Sequence, residues 1–323
     1  MSNLERDPRE TLSGGRTAVA AAPVRDLLPA HTVALGGTRA MTVSRTLPNR
    51  ERRMVGAWCF ADYYGPDKVA GGAGMQVPPH PHTGLQTVSW LFAGQVLHRD
   101  SLGSRQLARP GELNLMTAGR AIAHSEESPA DHDPVLHGVQ LWVALPDGDR
   151  QVDPQFEHHA DLPVSSDGGV AVTVIMGELG EVRSPARTYS PLVGADVRLA
   201  SGTDTRLPLR PDFEFAALAV DGAVEVDGVP LDPGPLLYLG TGRSDLAVRT
   251  EWGGRMMLLG GEPFDEQIVM WWNFVGRDHD EIVAMREEWM VGEAFGTVRG
   301  YDGDRLPAPA MPTTRLKARG RQR

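Results

Sequence analysis

Glu112-Leu-Asn-Leu-Met-Thr-Ala-Gly-Arg-Ala-Ile-Ala-His-Ser-Glu126 is the stretch that decides the fold. Leu113 to Met116 is a short apolar run, Gly119 marks a turn, and a second run ends in His124-Ser125-Glu126, so the segment reads as strand, turn, strand. Side chains two apart on a strand share a face, which sets His124 beside Glu126. The same skip of one residue occurs upstream in His80-Pro81-His82, which follows Val77-Pro-Pro79 and opens the strand-like run Leu85-Gln-Thr-Val-Ser-Trp-Leu-Phe92. A single H-x-H is more often a surface or hydrogen-bonded core pair. Two same-face pairs on strands are different: three imidazoles and a carboxylate form a nitrogen and oxygen set that suits a first-row transition metal, with coordination positions left for water or substrate.

Working outward, short apolar runs separated by turn signals recur at Thr87 to Phe92, Gln95 to Arg99, Leu113 to Met116 and Val139 to Val143. A second series follows at Val170 to Met176, Asp196 to Leu199, Phe213 to Val220, Leu236 to Leu239 and Arg255 to Leu259. Regular short strands of this kind indicate a barrel or sandwich. Phe60-Ala-Asp-Tyr-Tyr-Gly-Pro66 reads as a strand closed by a Gly-Pro turn. Pro146-Asp-Gly-Asp-Arg150 and the polar segment to Gly169 mark a boundary. The organisation expected is a flexible N-terminal arm over 1–30, a metal-binding barrel over 31–150, a metal-free barrel over 165–303, and a basic, disordered tail over 304–323. No histidine lies between Val170 and Phe264, so the second barrel has no means of repeating the H-x-H site. Helices are expected over Phe264 to Val275 and Asp280 to Val291; for the latter, Asp278 with Glu281 resembles a capping box, and Ile282, Met285 and Trp289 fall at helical spacing. The Trp-rich run Met270-Trp-Trp-Asn-Phe274 reads as packing rather than a ligand platform.

His80-Pro-His-Thr-Gly-Leu-Gln-Thr-Val-Ser89, Met116-Thr-Ala-Gly-Arg-Ala-Ile-Ala-His-Ser-Glu126, His137-Gly-Val-Gln-Leu-Trp-Val-Ala-Leu-Pro146 and Gly260-Gly-Glu-Pro-Phe264 resemble the motifs of the pirin family, in family order across roughly residues 40 to 300. The resemblance implies an all-β bicupin, two cupin-type barrels with a few short helices near the C-terminus. Its N-terminal barrel would hold one metal ion, iron first, with nickel, manganese, copper, cobalt or zinc as alternatives. Residue by residue, the family's ligands fall on His80, His82, His124 and Glu126. General cupin motifs place a glutamate ligand where this chain has Gln86, which is therefore read as a non-ligand. Thr83 stands where some pirins carry arginine, so no charge-based role transfers to it.

Composition bounds the rest. The 323 residues suit two domains with tails. The net charge of −10 argues against direct nucleic-acid binding. Of 32 cationic residues only Lys68 and Lys317 are lysines. Cys59, the one cysteine, sits in the apolar run Val55 to Phe60 and reads as a buried filler, fitting a reducing cytoplasm. No signal-peptide layout and no apolar run of membrane-spanning length is present. Of the other histidines, His98 and His137 lie on expected strands; His137 reads as a core residue, the alternative being a role in orienting a ligand. His132, His158 and His159 are assigned to loops. Neither a nucleophile elbow nor a phosphate loop competes with the metal set.

Three functions fit these residues. One is a quercetin 2,3-dioxygenase-type oxygenase, since some pirins cleave that flavonol; Glu126 would then be ligand and proton acceptor. The second is a non-catalytic, redox-sensitive regulator of transcription or of a metabolic enzyme, acting through a protein partner. The third is a metal that only stabilises the barrel. The oxygenase is favoured, with a flavonol-like aromatic molecule as substrate.

Overall fold

The computed structural model describes residues 11–13, 23–35 and 41–318. The first barrel has two sheets. The larger runs in the order Gln155–His159, Leu113–Thr117, Leu85–Ala93, Val135–Ala144, Trp58–Lys68, Met41–Leu47, His31–Leu35; the smaller in the order Gln76–His82, Ile122–Glu127, Val96–Asp100, Arg105–Ala108. Alternation along the strands divides the larger sheet's two faces. Val88, Trp90, Val139, Leu141 and Val143 belong to a core cluster shared with Met176, Leu218, Met257 and Leu259 of the second barrel. Ser89, Gln140 and Trp142 turn the other way, toward the smaller sheet.

The second barrel repeats this plan. Its larger sheet runs Val164–Asp167, Val170–Leu179, Leu192–Leu199, Gly254–Gly261, Glu214–Gly222, Leu236–Gly240, Asp26–Leu28, and faces a four-stranded sheet across an interior of Val, Leu and Phe side chains. Charged groups tie the barrels together. Asp196 accepts from Trp90 Nε1 at 3.1 Å and from Arg255 Nε at 2.8 Å, and Glu214 accepts from Gly56 N at 2.6 Å and from the Tyr238 hydroxyl at 2.7 Å.

Several expectations are corrected. Asp26–Leu28, within the segment read as an arm, is a strand paired with Leu236–Gly240; residues 1–10 and 14–22 of that segment lie outside the described residues. The Trp58–Lys68 strand does not end at Gly65-Pro66. It continues through an irregular step opposite Leu136 to Gly138, so the pair works as a bulge. Phe264 to Val275 is not a helix: it contains the strands Ile268–Trp271 and Phe274–Gly276, joined by a two-residue turn. Its apolar run is buried on both faces, a pattern that does not separate strand from helix by period. The single helix among the described residues is His279–Val291, capped by the Asp278 carboxylate, which accepts from Asp280 N and Glu281 N. His158 and His159 sit on a strand paired with Leu113–Thr117, not in a loop. The described part of the basic tail packs against the helix rather than trailing in solvent: Trp289 Nε1 donates to Leu306 O at 2.8 Å, and Ala308 and Leu316 are buried with Trp271, Trp272 and Trp289. Residues 319–323 lie outside the described residues. Among the described residues, no helix is long and apolar enough to cross a membrane.

Candidate metal centre

Both ligand pairs lie on neighbouring antiparallel strands of the smaller sheet, where His124 stands opposite His80 and Ile122 opposite His82. The His-Pro-His pair thus closes the strand Gln76–His82, ahead of the Thr83-Gly84 turn, instead of opening the next strand. Pro78, Pro79 and Pro81 are tolerated because this is an edge strand, with no further strand of its sheet to receive an N–H. The register shifts between His124 and Glu126, which faces Val77, so the proline strand bulges there. Gly119, with φ 53°, makes the corner that carries the chain from one sheet to the other; a Cβ there would come within 2.0 Å of Val152 O.

His80, His82 and His124 are buried and bring their ligand atoms within 4.8 Å of one another. Each Nδ1 is engaged: His80 with Pro78 O at 2.8 Å, His82 with Asn273 O at 3.1 Å, His124 with His98 Nδ1 at 3.3 Å. Each Nε2 is buried and, among the described residues, has no hydrogen-bond partner. Burial pushes the His80 imidazole down to about 4, and desolvation holds His82 and His124 well below the ordinary histidine value, so all three are neutral near pH 7 and offer lone pairs. Three inward lone pairs that meet no donor among the described residues fit a transition metal ion, with nitrogen bonds of about 2 Å.

Glu126 is buried on the same strand two residues beyond His124, but it is not part of the close three-imidazole set. Its Oε1 lies 3.2 Å from Ser89 Oγ, which is also 2.9 Å from Gln140 Oε1. One hydroxyl proton serves only one of these acceptors. With the Gln140 amide turned over, its NH2 donates to Ser89 and Ser89 donates to Glu126, which also satisfies the otherwise unpartnered Gln140 nitrogen. An aromatic wall backs the site: Trp142 stands edge-on to His82 at 5.0 Å and stacks on Phe60 at 4.0 Å.

Gln86 turns elsewhere, its Nε2 donating to Thr117 Oγ1 and Arg187 O. Thr83 donates to Met285 Sδ. His137 is a core residue against Tyr63, Nε2 to hydroxyl 2.9 Å, and touches no ligand. The histidine that touches a ligand is His98. His98 and Asp100 obey the same skip-one rule as the ligand pairs, a signal open to sequence reasoning but not used by it. The Asn273 carbonyl carries no such signal, because every residue has one. Cys59 is buried, and desolvation raises its thiol to about 12.

Comparison with known proteins adds the lineage. The pirin family model matches residues 39–143, and the model of the pirin C-terminal cupin domain matches residues 194–295. The chain belongs to the pirin family. A Pseudomonas aeruginosa relative named "Putative quercetin 2,3-dioxygenase" is 46% identical over 284 residues, 88% of this chain and 89% of its own. A pirin-like protein of Caulobacter vibrioides is 38% identical, covering 77% of this chain and 88% of that one. Among solved structures, a quercetin 2,3-dioxygenase from Acinetobacter baumannii superimposes with a TM-score of 0.87 at 42% identity, covering 91% of this chain and 98% of that one. Each barrel here is therefore a cupin domain, as the motifs imply.

Proposed function

We propose that this pirin is a metal-dependent dioxygenase acting on a flavonol of the quercetin class. The observation that carries the reading is the convergence of three neutral, buried Nε2 lone pairs from His80, His82 and His124, in a chain similar along most of its length to proteins named for that activity. His80, His82 and His124 would hold the ion, iron first, and Glu126 would complete the set. When bound, such an ion supplies a Lewis acid that lowers the pKa of a substrate hydroxyl and a centre at which O2 reacts.

The protein's own contribution is placement and proton handling. Pro78 O and Asn273 O fix two imidazoles, so the site is ordered before any ion arrives. Glu126 would receive the hydroxyl proton of the flavonol, and the Ser89 hydroxyl would steady the carboxylate through Oε1. Trp142, stacked on Phe60, gives His82 a rigid aromatic backing. The test is oxygen uptake with quercetin by protein reconstituted separately with iron, nickel and manganese. Consumption above that of the free metal is expected for at least one ion, and a fully loaded protein that matches free metal with all three would refute the reading.

A further inference from the structure

We propose that His98 and Asp100 form a relay that sets the tautomer of His124, making them positioning residues for the metal centre. The proposal rests on the reading of the three imidazoles as metal ligands. For His80 and His82 the tautomer is already decided: a backbone carbonyl only accepts, so Nδ1 carries the proton and Nε2 keeps its lone pair. His124 is different. Its Nδ1 meets another imidazole nitrogen, His98 Nδ1, at 3.3 Å, and that contact is satisfied whichever ring donates. If His98 donates, His124 carries its proton on Nε2, where the ion would bind, and the third ligand is blocked.

Asp100 breaks the tie. His98 Nε2 lies 3.2 Å from Asp100 Oδ2, and the other oxygen, Oδ1, accepts from Leu102 N and Ser104 N, both at 2.9 Å. A carboxylate only accepts, so His98 carries its proton on Nε2. Its Nδ1 then accepts from His124 Nδ1–H, and His124 Nε2 is left with a lone pair. The His98 ring is held flat against Phe156, with centroids 4.4 Å apart and planes 14° apart. Asp100 also faces His124 directly across the strand pair, so acid, relay and ligand share one surface of the sheet.

Asp100→Asn inverts the relay without opening a cavity. Leu102 N and Ser104 N keep the amide oxygen on their side, the NH2 faces His98 Nε2, and that nitrogen becomes an acceptor. His98 then donates from Nδ1, and the His124 proton moves to Nε2. Histidine 15N NMR of the metal-free variant should show the His124 Nε2 resonance move from the unprotonated to the protonated range. Nickel(II) affinity, measured by chelator competition, should fall by roughly 10- to 100-fold. His98→Gln is the conservative rescue: its oxygen accepts from His124 while its NH2 donates to Asp100, and affinity should stay within a few-fold of wild type. His98→Phe keeps the stacking, removes the acceptor and should weaken nickel binding. An Asp100→Asn protein with an unshifted His124 resonance and wild-type nickel affinity overturns the relay. A wild type that takes up no metal overturns the functional reading instead, while the metal-free NMR still decides the tautomer.

Discussion

Three histidine rings at the centre are oriented by what their Nδ1 atoms meet, and that is why their Nε2 atoms are left facing one another. His82→Ala should therefore remove metal without unfolding the chain, since the apolar clusters on either side of the larger sheet do not depend on an ion. Metal per chain should fall from about one to near zero, with far-UV circular dichroism unchanged. Acid should act on the same rings and on His137, whose imidazole burial, with the Arg255 charge second, lowers from 6.5 to about 4. A lowered histidine is neutral in the fold and protonates more readily when unfolded, so its contribution is present above about pH 6.5 and is lost as pH falls toward 4. Urea midpoints of metal-free protein should drop across that window, and less steeply for His137→Gln; a parallel profile in the variant would assign the acid sensitivity elsewhere. Cys59, with its thiol raised to about 12, should resist disulfide reagents at pH 8 until the protein is unfolded.

At the scale of elements, the sequence was most readable where a period of two stood alone. The His-x-His and His-x-Glu pairs stood out because strand geometry gives their spacing a single simple meaning, and Asp280 to Val291 was readable because Asp278 is a helix cap. The Trp-rich run was not, because Ile268 to Trp271 is covered on both sides and shows no polar stripe. Its turn adds a local exception, Trp272 at φ 53°, a conformation bulky side chains rarely adopt. That turn delivers the Asn273 carbonyl to His82, so a helical reading of the run also conceals a contact of the site. The packing of the tail is not legible in the sequence, because Leu306, Ala308 and Leu316 are scattered among Pro and Arg, and only the folded helix shows what they cover. Asp278→Ala removes an acceptor for two helix N–H groups and should cost about 1 kcal/mol, read as a fall of about 1–2 degrees in the melting temperature. A melt unchanged within error would show that packing alone holds this helix.

Across the whole molecule the two barrels share one apolar cluster and a set of buried polar ties, so they should unfold together. Asp196 is the sharpest handle. It is buried on the second barrel, holds Arg255 with both oxygens, and receives the indole N–H of Trp90 from the back of the metal-bearing sheet. Asp196→Ala strands a mostly buried guanidinium and an indole N–H, and removing one partner of a buried pair costs about 3–5 kcal/mol. The exposed pair Arg206 with Asp245 is the control: Arg206→Ala should leave the melt unchanged, because solvent screens the pair. The decisive readout is metal release on heating. If the barrels are one cooperative unit, Asp196→Ala should lower the temperature at which the first barrel releases its ion, although the substitution lies in the other barrel, and the near-UV signal should shift with it. If release stays at the wild-type temperature while the second barrel melts early, the barrels are independent and their shared cluster contributes contact without cooperativity.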